Sequence, residues 1–268
     1  MPIPAPGLEG KSLLLSGATG IAASTARLAL ESGARLCVVS LQQDDLHQLR
    51  RDLQAAPDRM VTVAGDLAEP ATAESAAKEC ADAFGRIDLL FNIAGISGRR
   101  HGDGPVHACT DDGFDETIRG NLRTLFLLSR AALRFMMAQT PGGDGMRGAV
   151  LHMSSVMAYS PRSDFFATHA YAAAKAGVIG LTHAMASYYA PQKIRVNAIA
   201  PGLVRTPMSQ RAQTDQDILH LMRHKQPLAE ALIEADDVAR TALFLLSDQA
   251  RMITGEIVGV DAGWRVSS

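Results

Sequence analysis

The 268-residue sequence is 47% hydrophobic and 20% charged but only 5% aromatic, which is ample apolar material for one large domain or two. A net charge of −2, with Lys and Arg spread along the chain, excludes an extended nucleic-acid or anionic-membrane surface. Cys37, Cys80 and Cys109 lack CxxC spacing, which argues against a disulfide framework or a zinc site and fits a reducing, cytoplasmic setting.

Met1-Pro2-Ile3-Pro4-Ala5-Pro6-Gly7 has neither the basic nor the apolar region of a signal peptide, and its prolines predict a flexible N-terminal arm over residues 1–9. No apolar run reaches the length of a membrane span. Ser12-Leu13-Leu14-Leu15-Ser16 then reads as a buried strand, followed by a glycine turn at 17–20 and a helix to about Ser32. Strand and helix go on alternating: a strand over 34–40, a helix over 43–55, a strand over 60–64, a helix over 69–84 and a strand over 87–91. An irregular stretch, 98–110, precedes one long helix expected from about Asp112 to Ala138. A strand over 148–153, a helix carrying Tyr171, a strand over 194–199, a helical region from Pro207 to His224, a helix over 234–246 and a strand over 256–260 complete the series. Such alternation, with strands apolar on both faces, predicts an α/β fold: a Rossmann-type doubly wound parallel sheet of about seven strands. Residues 10–268 are expected to form a single domain, with loops inserted at 141–145 and between Ser155 and Tyr171.

In such a sheet the turn after the first strand is where a dinucleotide pyrophosphate meets a helix N-terminus. Here it reads Ser16-Gly17-Ala18-Thr19-Gly20-Ile21-Ala22, making Gly17, Thr19, Gly20 and Ile21 candidate phosphate ligands. The end of the second strand should select the cofactor, an acid favouring NAD and an arginine NADP. Ser40-Leu41-Gln42-Gln43 supplies neither, and without a cation for a 2′-phosphate NAD is favoured over NADP.

Tyr171 and Lys175 stand one helical turn apart in Tyr171-Ala172-Ala173-Ala174-Lys175, so their side chains share a face. A phenol titrates near 10, too high for a base at neutrality, and a neighbouring ammonium is expected to lower it. The pair is therefore a candidate acid/base unit; spacing alone also permits a solvated helix face.

Together these residues resemble the short-chain dehydrogenase/reductase family over about residues 8–265. Gly17 and Gly20 resemble its cofactor turn, Asp66-Leu67 its adenine contact, and Asn92-Ile93-Ala94-Gly95 its NNAG motif, with Asn92, Ala94 and Gly95 beside the cofactor. Asn121, Ser155, Tyr171 and Lys175 resemble its catalytic tetrad. Pro201-Gly202-Leu203-Val204-Arg205-Thr206 resembles its PG loop, with Pro201, Gly202, Val204 and Thr206 on the cofactor, and Asp261-Ala262-Gly263-Trp264 its usual ending. Against the family's TGxxxGxG, this turn has one residue fewer between its first glycines, and Ala22 replaces the last; 16 positions separate Ser155 from Tyr171, about three more than usual.

The resemblance implies hydride transfer between a nicotinamide cofactor and a secondary alcohol or ketone, with no catalytic metal. Tyr171 would exchange the hydroxyl proton, Lys175 lower its pKa and bind the ribose, Ser155 hold the substrate oxygen, and Asn121 hold a water. The alternatives are an NADP-dependent ketoreductase of the 3-oxoacyl thioester type and a non-catalytic dinucleotide-binding protein. Arg99, Arg100 and His101 lie beyond a strand's C-terminal end, as either an anion or polyol contact or an exposed polar loop. His169 reads as a polar contact or cap. The 206–224 region is expected to lid a pocket, with Met208, Leu219 and Met222 as possible linings. A homo-oligomer, tetramer or dimer, is implied through the helices carrying Asn121 and Tyr171.

Overall fold

A computed structural model describes residues 7–267. In chain order its elements are β1 (Ser12–Ser16), α1 (Ile21–Glu31), β2 (Arg35–Ser40), α2 (Gln43–Leu53), β3 (Met60–Ala64), α3 (Pro70–Phe84) and β4 (Leu89–Asn92). There follow α4 (Asp111–Ile118), α5 (Thr124–Ala138), β5 (Gly148–Met153), α6 (Ser163–Phe166), α7 (His169–Tyr189) and β6 (Ile194–Pro201). Helices α8 (Gln210–Thr214), α9 (Gln216–Lys225) and α10 (Ala235–Leu246) precede β7 (Ile257–Val260).

Among the described residues the strands form one seven-stranded sheet, ordered β3-β2-β1-β4-β5-β6-β7 and parallel throughout. Because alternate residues of a strand face opposite sides, each central strand feeds two cores. Leu13, Leu15, Leu36, Val38, Leu89 and Phe91 pack against α1, α2 and α10. Leu14, Cys37, Val39, Leu90, Val150 and Val196 pack against α3, α5 and the far end of α7. The chain reverses direction across the sheet between β1 and β4, which opens a crevice at their C-terminal ends.

Four expectations need correcting. Residues 1–6 of the expected arm lie outside the described residues, but Leu8 is fully buried in the first core, so ordered chain begins before residue 10. The single helix expected over 112–138 is two helices joined by a π-turn, Arg119–Arg123. Apolar periodicity carries no signal of one extra residue per turn, so the sequence reads straight through it. The 207–224 region breaks into a 3₁₀ turn (Pro207–Ser209), α8 and α9, because Asp215 leaves the helical path to accept the Asp217 and Ile218 amides. Inside the inserted loop before Tyr171 lies the short helix α6.

Candidate active site

A cavity of about 660 Å³ opens at the crevice. Its inner wall is the β1–α1 turn. Gly20 sits at φ 55°, ψ −124°, a conformation that penalises any Cβ, and a Cβ there would stand 3.0 Å from Thr206. The turn leaves the amides of Ala18, Thr19, Gly20, Ile21 and Ala23 without an acceptor among the described residues; Ala22 N–H goes to Thr19 O and Ser24 N–H to Gly20 O. Unpaired amides at the start of an 11-residue helix are the donor set a pyrophosphate requires. The residues present therefore fit a dinucleotide despite the shortened turn.

Ser16 at the end of β1 accepts N–H bonds from Ile93 (2.8 Å) and Ala94 (3.0 Å), tying the floor of the cavity to the segment after β4. Ala94, Gly95, Asp66, Leu67 and Ser40 line the cavity as expected, and so do Pro201, Gly202, Val204 and Thr206. The loop holding Gly202 is set by the buried Gln226, whose Oε1 accepts the Leu203 amide at 2.5 Å and whose amide donates back to Leu203 O at 3.1 Å. Asp66 is ion-paired to Arg119 at 2.6 Å and accepts the Ala68 amide; these bonds hold its carboxyl below the usual range although burial pushes the other way.

Asn92 does not line the cavity. Its side chain is buried beneath the sheet end and donates to Ser129 Oγ at 3.0 Å. Ser129 meets His152 Nε2 at 3.3 Å, and His152 Nδ1 meets Thr182 Oγ1 at 2.9 Å. Thr182 spends its hydroxyl proton on Val178 O (2.7 Å), so His152 Nδ1 must be the donor to Thr182 and Nε2 the acceptor from Ser129. Full burial pushes His152 down to about 3, consistent with a neutral ring.

The four residues that the resemblance nominates converge, although not all reach the cavity surface. Ser155, two residues beyond β5, and Tyr171 both line the cavity, and the Ser155 hydroxyl acts to lower the pKa of the Tyr171 phenol. Lys175 is 3% exposed, donates to Met153 O at 2.9 Å and places its Nζ 5.5 Å from the centre of the Tyr171 ring. Burial pulls the lysine down to about 8. Asn121 rides on the π-turn behind this group; its side-chain amide donates to Ile96 O and Thr117 O, both at 2.9 Å. A methyl on Gly95 would stand 2.5 Å from Asn121 Oδ1 and 3.5 Å from Lys175 Nζ, so only glycine lets these two groups share the space.

One electrostatic expectation fails. Burial raises the Tyr171 phenol above its ordinary value, outweighing the Ser155 hydrogen bond, and the neighbouring ammonium does not lower it. Of the apolar candidates after Thr206, Met208 lines the cavity, whereas Met222 is fully buried in a satellite core with Trp264, and Leu219 stays outside the lining.

Two residues missed from the sequence, Asp103 and Asp45, shape the site, and two noted there take definite places. Asp103, from the 98–110 loop, is buried and accepts the amides of Ala170 and Tyr171 at 3.0 Å each, capping the helix that carries Tyr171. His169 joins the same stitch, accepting the Val106 amide at 3.1 Å. Asp45, in the first turn of α2, lines the cavity beside Ser40, Leu41 and Gln42. Trp264, noted in the sequence only as part of a terminal motif, lines the opposite wall and donates to Ser160 O at 3.1 Å. An acid one turn into the second helix was a readable signal; the cap was not.

Residues 17–265 match the family model described as enoyl-(acyl carrier protein) reductase. Levodione reductase of Leifsonia aquatica is 34% identical over 263 residues, covering 94% of this chain and 92% of that protein. This chain belongs to the short-chain dehydrogenase/reductase family. A 3-oxoacyl-(acyl-carrier-protein) reductase of Thermotoga maritima is 29% identical, covering 96% of this chain and 98% of its own. Among solved structures, the 3-ketoacyl-(acyl-carrier-protein) reductase of Brucella melitensis complexed with NADH superimposes with a TM-score of 0.84 at 28% identity, covering 97% of this chain and 100% of that one. As a short-chain dehydrogenase/reductase, the protein is an NAD(P)-dependent oxidoreductase acting on CH–OH groups.

Proposed function

We propose that the enzyme interconverts a ketone and a secondary alcohol through Tyr171, Ser155, Lys175 and Asn121. The observation that carries this reading is the convergence of Ser155, Tyr171 and Lys175 on the same cavity as the unpaired amides of the β1–α1 turn. The bound nicotinamide would supply or accept the hydride. Tyr171 and Ser155 would both donate to the substrate carbonyl oxygen, and Tyr171 would deliver the proton there. A phenol raised by burial is protonated at neutral pH and can donate to the carbonyl oxygen, while alcohol oxidation, which releases a proton, should grow with alkalinity. Lys175 Nζ, which donates to Met153 O, would also bind a ribose hydroxyl of the cofactor. Asn121 is assigned the water that returns protons to Lys175 across Gly95.

NAD rather than NADP is the assigned cofactor, because Asp45 stands beside the end of β2, where the 2′-phosphate of NADP would meet a carboxylate. The amides of Gly17, Thr19, Gly20 and Ile21 would hold the pyrophosphate, Asp66 and Leu67 the adenine, and Ala94, Gly95, Pro201, Gly202, Val204 and Thr206 the nicotinamide half. A 3-oxoacyl thioester substrate has the Thermotoga relative in its favour; Asp45 weighs against the NADP half of that alternative. Three scattered cysteines without CxxC spacing support a reducing, cytoplasmic setting. Exposed Phe114 and Phe126 on α4 and α5, and Tyr188 on α7, support a homo-oligomer through these helices, to be weighed by light scattering. Among the described residues no helix is long and apolar enough to cross a membrane.

The deciding experiment is Tyr171→Phe, assayed over a panel of ketones with NADH and NADPH. The variant should bind NADH like the parent and lose at least a thousandfold in kcat; substantial residual turnover would overturn the assignment. NADH should bind more tightly than NADPH, and Asp45→Asn should narrow the gap.

A further inference from the structure

At the mouth of the cavity two arginines from distant parts of the chain meet. Arg99 comes from the 3₁₀ turn Arg99–His101 after β4, and Arg211 from α8. Both line the cavity, and both donate through Nη2 to one acceptor, the carbonyl oxygen of Phe165, at 2.5 and 3.2 Å. Two cations are thus held against each other by a neutral oxygen. Among the described residues Arg99 has no carboxylate within 4.0 Å, and Arg211 reaches Asp215 Oδ2 only at 3.8 Å, while that carboxylate's other oxygen is occupied by the Asp217 and Ile218 amides. Asp103, the acid on Arg99's own loop, has both oxygens committed to the Ala170 and Tyr171 amides. Burial, and secondarily the charge on Arg211, hold the Arg99 guanidinium below its ordinary value. Each guanidinium carries five N–H donors in a planar fork, of which the carbonyl uses one.

We propose that Arg99 and Arg211 bind a carboxylate borne by the substrate, making this enzyme a dehydrogenase of keto and hydroxy acids. The assignment rests on the ketone/alcohol reading of Tyr171 and adds the substrate's other end. The cavity holding both ends is also lined by Met157, Phe166, Met208 and Trp264, which suits a substrate whose carbonyl and carboxylate are joined by a hydrocarbon body. The forked donors of paired arginines match the planar, two-oxygen acceptor of a carboxylate.

Trp264 is the single tryptophan of the chain and lines this cavity, so its fluorescence reads occupancy without turnover. The test titrates the NAD⁺-loaded protein, which has no hydride to give the ketone, with 4-oxo-4-phenylbutanoate, with its methyl ester and with coenzyme A, in wild type, Arg99→Gln and Arg211→Gln. The acid should bind at least tenfold more tightly than the ester, each variant should weaken the acid at least tenfold, and ester binding should stay within twofold. Equal binding of acid and ester, no binding of the acid, or equal weakening of both ligands in the variants would overturn the proposal. Arginine-dependent binding of coenzyme A without binding of the acid would also overturn it, assigning the pair to the phosphates of a thioester carrier. NADH affinity by calorimetry and the Tyr171→Phe assay report on the dehydrogenase reading separately, so either can fail while the other stands.

Discussion

Replacing Lys175 by methionine should make the folded protein more stable at neutral pH while removing its turnover. The ammonium is buried, and its pKa falls from 10.5 to about 8. Each pKa unit corresponds to about 1.4 kcal/mol, so keeping the lysine charged in the fold costs about 3 kcal/mol at pH 7. Losing the bond to Met153 O returns about 1 kcal/mol, leaving a net gain of about 2 kcal/mol for methionine. The sign of the pH dependence follows from linkage. Between about pH 8 and 10.5 the unfolded chain binds the proton that the folded chain has released, so the stability of the parent rises with pH through that window. The advantage of methionine is therefore full below pH 8 and fades toward pH 10.5. Urea unfolding at intervals from pH 7 to 10, with both proteins carrying Tyr171→Phe so that this phenol does not titrate, measures the difference directly. A difference independent of pH, or a parent more stable than the variant at pH 7, would refute the desolvation argument.

Gly95→Ala forces a methyl to within 2.5 Å of Asn121 Oδ1; overpacking of this kind costs about 1–3 kcal/mol, and kcat should fall at least tenfold with little change in circular dichroism. Asp103→Ala strips two amides of the α7 N-terminus of their acceptor and should cost about 2 kcal/mol in urea unfolding, with Asp103→Asn losing less and kcat falling in the same order. His152 should remain a neutral Nδ1–H tautomer between pH 5 and 8 in a nitrogen NMR titration. Because its folded pKa, about 3, lies below that of the unfolded chain, it should contribute to a loss of stability as pH drops below about 6.5.

Local pattern carried the sequence reading wherever the determinants are local. Alternating apolar runs located all seven strands, because a strand buried on both faces must be apolar throughout. The glycine turn was readable from its place after the first strand, and Tyr171 and Lys175 from one turn of helix. What could not be read depends on residues far apart in the chain. Asp103 caps a helix 67 and 68 positions downstream, and no residue near either end announces the partnership. The rise in the Tyr171 pKa has the same origin: the sequence displays the ammonium four residues away but not the burial that outweighs it. Asn92 shows a third case, since its motif places it beside the cofactor while its side chain turns beneath the sheet to Ser129.

The π-turn at Arg119–Arg123 also matters away from the cavity. One surplus residue turns the helix after it by about 100° relative to the helix before it, since a residue advances an α-helix by that angle. The segments on either side are therefore two amphipathic cylinders out of phase, and they serve different neighbours: α4 lies on α7 and α5 on α3. A deletion of one residue within 119–123 would restore a continuous helix and bring those two faces into phase. The chain would then have to give up the contact with α7 or the contact with α3. Insertions and deletions in this stretch should thus be poorly tolerated even in variants selected only for folding.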